Sequence, residues 1–155
     1  MRQELSMRTE VTIDLRSGLE LVLGRGQYCE SVNNLLAVSW KRGCQVVVPL
    51  SFRLHVINAL HEGRRRRRLK EGWVQTALER LKKILPMLKC VNDSEDFARA
   101  TAIARRYACS LQYQALYAAV AERLKSELWT GDRSFYDATR TRLRYLRWIG
   151  DCRPE

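Results

Sequence analysis

Residues 110–135 read SLQYQALYAAVAERLKSELWTGDRSF. The apolar positions from about Leu111 to Lys125 have helical spacing, and ELWT (127–130) then reads as a short strand. The strand runs into Gly131 and Asp132 in a turn. A helix feeding a strand that ends on an acid is how an α/β fold presents a carboxylate at the mouth of a site. On the preceding helix, where a second acid would face it, the sequence has Gln114.

Outward from that stretch the elements alternate. EVTIDL (10–15) is a short β run ending on Asp14, and two helical segments follow, the second stopped by Gly43. CQVVVPL is a β-branched run closed by Pro49 and reads as a buried strand. SFRLHVINALHEG predicts a helix from Ser51 to Gly63 with Leu54, Ile57 and Leu60 on one face and Val56 near it. LKEGWVQTALERLKKIL continues as a helix with Trp73, Ala77, Leu78, Leu81 and Leu85 at helical spacing. MLKCV reads as a short strand or an extended connection, and Ser94 opens a further helix. SFYDATRTRL gives a helical turn or two before a last strand in RYLRWIG. Strands separated by helices imply parallel neighbours with right-handed crossovers. Asp14 and Asp132, distant in sequence, then fall at strand ends where ligands bind.

The chain has 155 residues, enough for one domain with a full core. A hydrophobic fraction of 46% without a long apolar run argues against a membrane span. MRQELSMRTE lacks the apolar core of a secretory signal, so an intracellular, cytoplasmic protein is expected. Five cysteines, none in a C-x-x-C pair, fit neither a zinc knuckle nor a disulfide framework; buried, reduced thiols are expected. Lys plus Arg is 28 against 17 Asp plus Glu, a net charge of +11. Such an excess attracts polyanions, nucleic acid above all. The plainer reading is solubility alone.

The arrangement resembles the PIN domain, the nuclease fold shared by bacterial toxin ribonucleases of the VapC type. VTID, VVVPLSFRLHVINAL and LQYQALYAAVAERLKSELWTGDRSF carry the likeness, the last being similar to a Tyr-Asp-Ala-x-Tyr helix followed by Thr-x-Asp. The resemblance implies an α/β three-layer sandwich with a central, mainly parallel sheet of four or five strands. It implies one domain over residues 1–155 with its core at about 10–151. It also implies about four acids around Mg²⁺ or Mn²⁺, the metal activating water for RNA cleavage. By position the retained acids, and the implied metal ligands, are Asp14 and Asp132. The other two catalytic positions hold His55 and Gln114.

Losing two of four carboxylates weakens a cation site. Two unit charges 4 Å apart interact by roughly 4 kcal/mol at an effective dielectric near 20, and a divalent ion doubles that before desolvation. Mg²⁺ prefers charged oxygens in octahedral geometry, whereas Gln offers a neutral oxygen and His a nitrogen better suited to Mn²⁺ or Zn²⁺. Weak Mg²⁺ or Mn²⁺ binding is the expectation. Glu62, about 10 Å along the helix from His55, reaches the rim but not the same metal. Asp137 reads first as an exposed helix acid, and Thr130 either steadies the Asp132 turn or simply ends the strand. A lone His55 on a core-edge helix is more often hydrogen-bonded than metal-bound.

Arg64, Arg65, Arg66, Arg67, Arg68 and Lys70 lie between two helices. They read equally as a nucleic-acid phosphate clamp and as a solvated linker held by Glu62 and Glu71. Arg140, Arg142, Arg144 and Arg147 form a second basic stretch with a surface role. Trp129, Trp148, Tyr113 and Tyr117 read as core packing. Three functions stay open. One is a PIN-like protein with a partly lost metal site, binding RNA or a protein partner. Another is an active metal-dependent single-strand endoribonuclease. The third is an interaction protein without nucleic acid. The resemblance further implies an antitoxin-like partner and a homodimer.

Overall fold

A computed structural model describes residues 9–155. Residues 1–8, most of the segment read for a secretory signal, lie outside the described residues. Five strands form one all-parallel sheet: β1 (Glu10–Ile13), β2 (Gln45–Pro49), β3 (Lys89–Val91), β4 (Glu127–Thr130) and β5 (Leu146–Trp148). Their order is β3-β2-β1-β4-β5. The α-helices among the described residues are α1 (Leu15–Leu23), α2 (Cys29–Lys41), α3 (Phe52–Arg65), α4 (Glu71–Ile84), α5 (Phe97–Tyr107), α6 (Leu116–Leu124) and α7 (Arg133–Thr139).

From β1 the chain steps outward to β2 and β3, then crosses back to β4 and on to β5. β1 and β4 are therefore neighbours whose onward connections leave in opposite directions. Such a switch point opens a crevice beyond the strand ends. In register, Ile13 faces Trp129, which sets Asp14 beside Thr130.

β2 is buried from Val46 to Pro49, as expected of a parallel strand covered on both faces. α6 is buried from Leu116 through Ala121, and its alanines let it lie close across β1, β2 and β4. A helix sunk this deeply has to be apolar nearly all round, and this one is. On the opposite layer α1 to α4 pack on one another. Gly18 is where α1 meets α3: a Cβ there would stand 2.4 Å from the Phe52 ring. Among the described residues no helix is long and apolar enough to cross a membrane.

Several local expectations change. α3 runs past Gly63 to Arg65, so that glycine does not stop it. Its inward face is Phe52, His55, Val56 and Leu60, while Leu54 (69% exposed) and Ile57 (46%) point outward. The helix carries two apolar stripes, and periodicity alone does not say which one the sheet covers. Trp73 of α4 is exposed and Val74 takes the inward place; Leu85 begins a 3₁₀ turn. The helix expected from about Leu111 opens with a π-type turn over Leu111–Ala115. Tyr113, read as core, is exposed. The cysteines were expected to be buried, but only Cys152 is; Cys29, Cys44, Cys90 and Cys109 are half-buried.

Candidate functional site

The site is built from strand ends. Asp14 follows β1 and caps α1: Oδ1 accepts the Ser17 N–H at 2.9 Å and the Gly131 N–H at 3.2 Å. Its Oδ2 accepts the Thr130 hydroxyl. Gly131 lies so close to α1 that a Cβ there would stand 3.2 Å from the Ser17 nitrogen. Asp14 is only 1% exposed. Burial pushes its carboxyl above the usual carboxylate value, against the pull of the Thr130, Ser17 and Gly131 hydrogen bonds.

Thr130 connects the two acids. It donates to Asp14 and accepts the Asp132 N–H at 3.0 Å. Asp132 in turn caps α7, taking the Phe135 N–H on Oδ1 at 3.0 Å. On Oδ2 it accepts from Gln114 Nε2 at 2.5 Å. The Gln114 amide is held at both ends, because its Oε1 accepts the Ser110 N–H at 2.8 Å. Reversing the amide would set donor against donor at Ser110 and acceptor against acceptor at Asp132. The network thus fixes its orientation. Gln114 sits in the π-type turn, a distortion frequent at functional sites.

Asp132 and Gln114 open onto a cleft of about 410 Å³ whose wall also includes Arg16, Arg68, Ser110 and Tyr113. His55 does not line that cleft but sits behind its wall, its ring centroid 6.2 Å from that of Tyr113. Its Nδ1 is 3.1 Å from the Tyr117 hydroxyl, and it opens on a smaller cavity of about 200 Å³ with Ser51, Phe97 and Leu111. Burial pushes its imidazole pKa down, and the Asp93 charge partly opposes that. Tyr117 is fully buried, and burial, then the charges of Asp14 and Asp93, drive its hydroxyl pKa up.

The donor set is a poor fit to Mg²⁺. Among the described residues no group of three or more His, Cys, Asp and Glu is placed to hold a metal ion. Asp14 and Asp132 each spend an oxygen on a helix cap, and Thr130 stands between them. Gln114 turns N–H, not oxygen, toward Asp132.

No family model matches the chain, and no curated protein matches its sequence. Solved structures do match. A toxin–antitoxin complex from Klebsiella pneumoniae aligns with a TM-score of 0.63 over 90% of this chain and 97% of that chain, at 18% identity. The protein PAE2754 from Pyrobaculum aerophilum aligns with a TM-score of 0.59 over 86% and 89%, at 23% identity. The fold is PIN-like. At these identities the likeness carries architecture, an α/β three-layer sandwich, and nothing finer.

Within this PIN-like frame one acid escaped the sequence reading. Asp93 follows β3, is buried, and accepts from the Ser51 N–H at 3.2 Å and the Ser51 hydroxyl at 2.5 Å. The signal was present: CVND places an acid just beyond a strand, as at Asp14 and Asp132. Glu62 is occupied on the surface by Arg65 and Arg66, and Asp137 by Arg133. Of the basic run, Arg64 pairs with Glu71 and Arg65 and Arg66 with Glu62. Arg67 turns the chain with φ of 58°, Lys70 holds the N-cap position of α4 without a side-chain hydrogen bond, and Arg68 reaches the cleft wall. In the second basic stretch Arg147 pairs with Glu127 and Arg140 stacks near the Tyr136 ring.

Proposed function

We propose that this PIN-like chain is a nucleic-acid-associated protein whose metal site is partly lost. It binds RNA or a protein partner and cleaves weakly or not at all. The observation that carries this is the Gln114 amide, held between Ser110 and Asp132 with its N–H on the carboxylate. A neutral donor takes the place where a cation would have to sit. Asp14 and Asp132 remain the candidate metal ligands, and with −2 between them they hold Mg²⁺ or Mn²⁺ weakly. The net charge of +11 and the basic run between α3 and α4 support an RNA contact.

The protein-partner arm has its own support. An apolar groove of about 470 Å³ runs between α1, α2 and α4, walled by Leu21, Leu36, Trp40, Ile84 and Met87. The Klebsiella pneumoniae neighbour is a toxin–antitoxin complex. An antitoxin-like partner covering this groove and a homodimer are parts of the same proposal, as is one domain over the whole chain.

The test is binding of a labelled single-stranded RNA across a salt series in EDTA. Affinity should fall steeply and log-linearly with salt, because each phosphate contact releases counterions. No binding even at low salt would remove the RNA arm and leave the protein partner.

A further inference from the structure

We propose that the cleft beyond β1 and β4 has changed the sign of its ligand: it is a metal-free site for a phosphate group, gripped by Arg16 and Arg68. The proposal rests on the partly-lost-metal reading above and names what the altered site takes instead. Two guanidinium groups share the wall with one carboxylate, Asp132, and both oxygens of that carboxylate already accept a hydrogen bond. Arg68 has no acid partner among the described residues, unlike Arg64, Arg65 and Arg66. Arg16 lies one turn before Glu20 and shares only a through-space attraction with it. Both arginines are exposed, so their heads are free to swing onto a ligand.

The neutral groups point the same way. Gln114 Nε2 has a second hydrogen beyond the one on Asp132. The Ser110 Oγ accepts the Tyr113 N–H, which leaves its proton to donate. The cleft therefore offers two cationic forks and several N–H or O–H donors. Its one carboxylate, Asp132, has both oxygens engaged as hydrogen-bond acceptors, and the two guanidinium groups outweigh its single charge. That inventory suits a phosphate ester, which takes bidentate guanidinium bonds, and repels a divalent cation. Leu15, Leu19 and Ala59 line the rest. Tyr113 offers an exposed ring beside them, on which a base can stack when the phosphate belongs to a nucleotide.

The experiment measures two probes in EDTA: a labelled single-stranded RNA by anisotropy, and inorganic phosphate or a mononucleotide by competition against it and by NMR titration. Wild type is compared with Arg16→Ser, Arg68→Ser and Lys82→Ser. Lys82 is an exposed cation on α4 paired with Glu79, and it controls for general charge. All three positions are on the surface, and circular dichroism checks each fold. Each cleft variant should weaken RNA binding about tenfold, the worth of a charge-assisted hydrogen bond, while Lys82→Ser stays within about twofold. EDTA should change nothing. RNA binding that the cleft and control variants reduce equally overturns the phosphate site but leaves the nucleic-acid reading standing. A mononucleotide that binds and is lost in the cleft variants, with no RNA binding, keeps the site and overturns the RNA arm. Binding of either probe only with Mg²⁺ overturns both the metal-free site and the partly-lost-metal reading.

Discussion

Gln114 bonds to Asp132 and Ser110 at once, and that double hold makes it the most informative position to change. Gln114→Asp should place two carboxylates within a few ångströms and leave the Ser110 N–H unpaired. In EDTA it should lower stability by about 1–3 kcal/mol. Mg²⁺ should restore part of that stability, since the variant regains a charged ligand, while wild type should show no Mg²⁺ shift in Tm. Asp14 gives a contrasting pair. Asp14→Ala removes the cap of α1 and strands the Thr130 and Gly131 donors, a destabilisation of about 2–4 kcal/mol by denaturant titration. Asp14→Asn keeps an acceptor and removes a buried charge, so it should stay within about 1 kcal/mol of wild type. His55 supplies a pH signature. Its folded pKa lies below the unfolded 6.5, so its contribution is complete above 6.5. Stability should fall as pH drops from there through the folded pKa, and His55→Gln should remove that limb from a Tm-against-pH curve. Asp14 and Asp132 were legible because an acid just beyond a strand is a sequence pattern. The direction of the Gln114 amide was not, because it depends on Ser110 in a π-type turn that no periodicity announces.

α3 and the turn after it decide what the basic run can do. Glu62 sits three and four residues before Arg65 and Arg66, and Glu71 reaches back to Arg64. That pairing was legible in the spacing. What was not legible was the escape of Arg68, which follows from α3 running through Gly63 and from the left-handed turn at Arg67. Serine replacements at Arg67, Arg68 and Lys70 should therefore flatten the salt dependence of RNA binding. The slope should drop by close to one unit for each phosphate that is no longer neutralised. Replacements at Arg64, Arg65 and Arg66 should flatten it less, since each cation removed also frees a glutamate. Equal effects across the run would mean that the ion pairs dissolve when RNA binds. The face of α3 was misread for a simple reason. Leu54 and Ile57 are as apolar as Val56 and Leu60, and only the position of the sheet distinguishes the stripes.

Four of the five parallel strands were legible as short apolar runs spaced by helices, while MLKCV stayed open between a strand and an extended connection; the order β3-β2-β1-β4-β5 adds the switch point where Asp14 and Asp132 meet through Thr130. The unused apolar surface also belongs to the whole molecule. Leu50, Leu54 and Ile57 are exposed, and so are Phe97 and Leu111 beside the His55 cavity. A monomer has no need of such a surface, and a homodimer would bury it. Light scattering should show a dimer for wild type and a monomer for Leu54→Glu with Ile57→Glu, with the fold retained because both side chains point outward. A monomeric wild type would remove the dimer from the proposal. The central claim is that a neutral amide, Gln114, now stands beside Asp132 where a cation site would need an acid, and that the second acid position the resemblance implies, His55, lies outside that cleft. Its most direct test is cleavage of single-stranded RNA with Mg²⁺ or Mn²⁺, comparing wild type, Asp14→Asn, and the double variant Gln114→Asp with His55→Glu. The account predicts wild type indistinguishable from Asp14→Asn, with activity rising only in the double variant. Robust metal-dependent cleavage by wild type, abolished by Asp14→Asn, would contradict it.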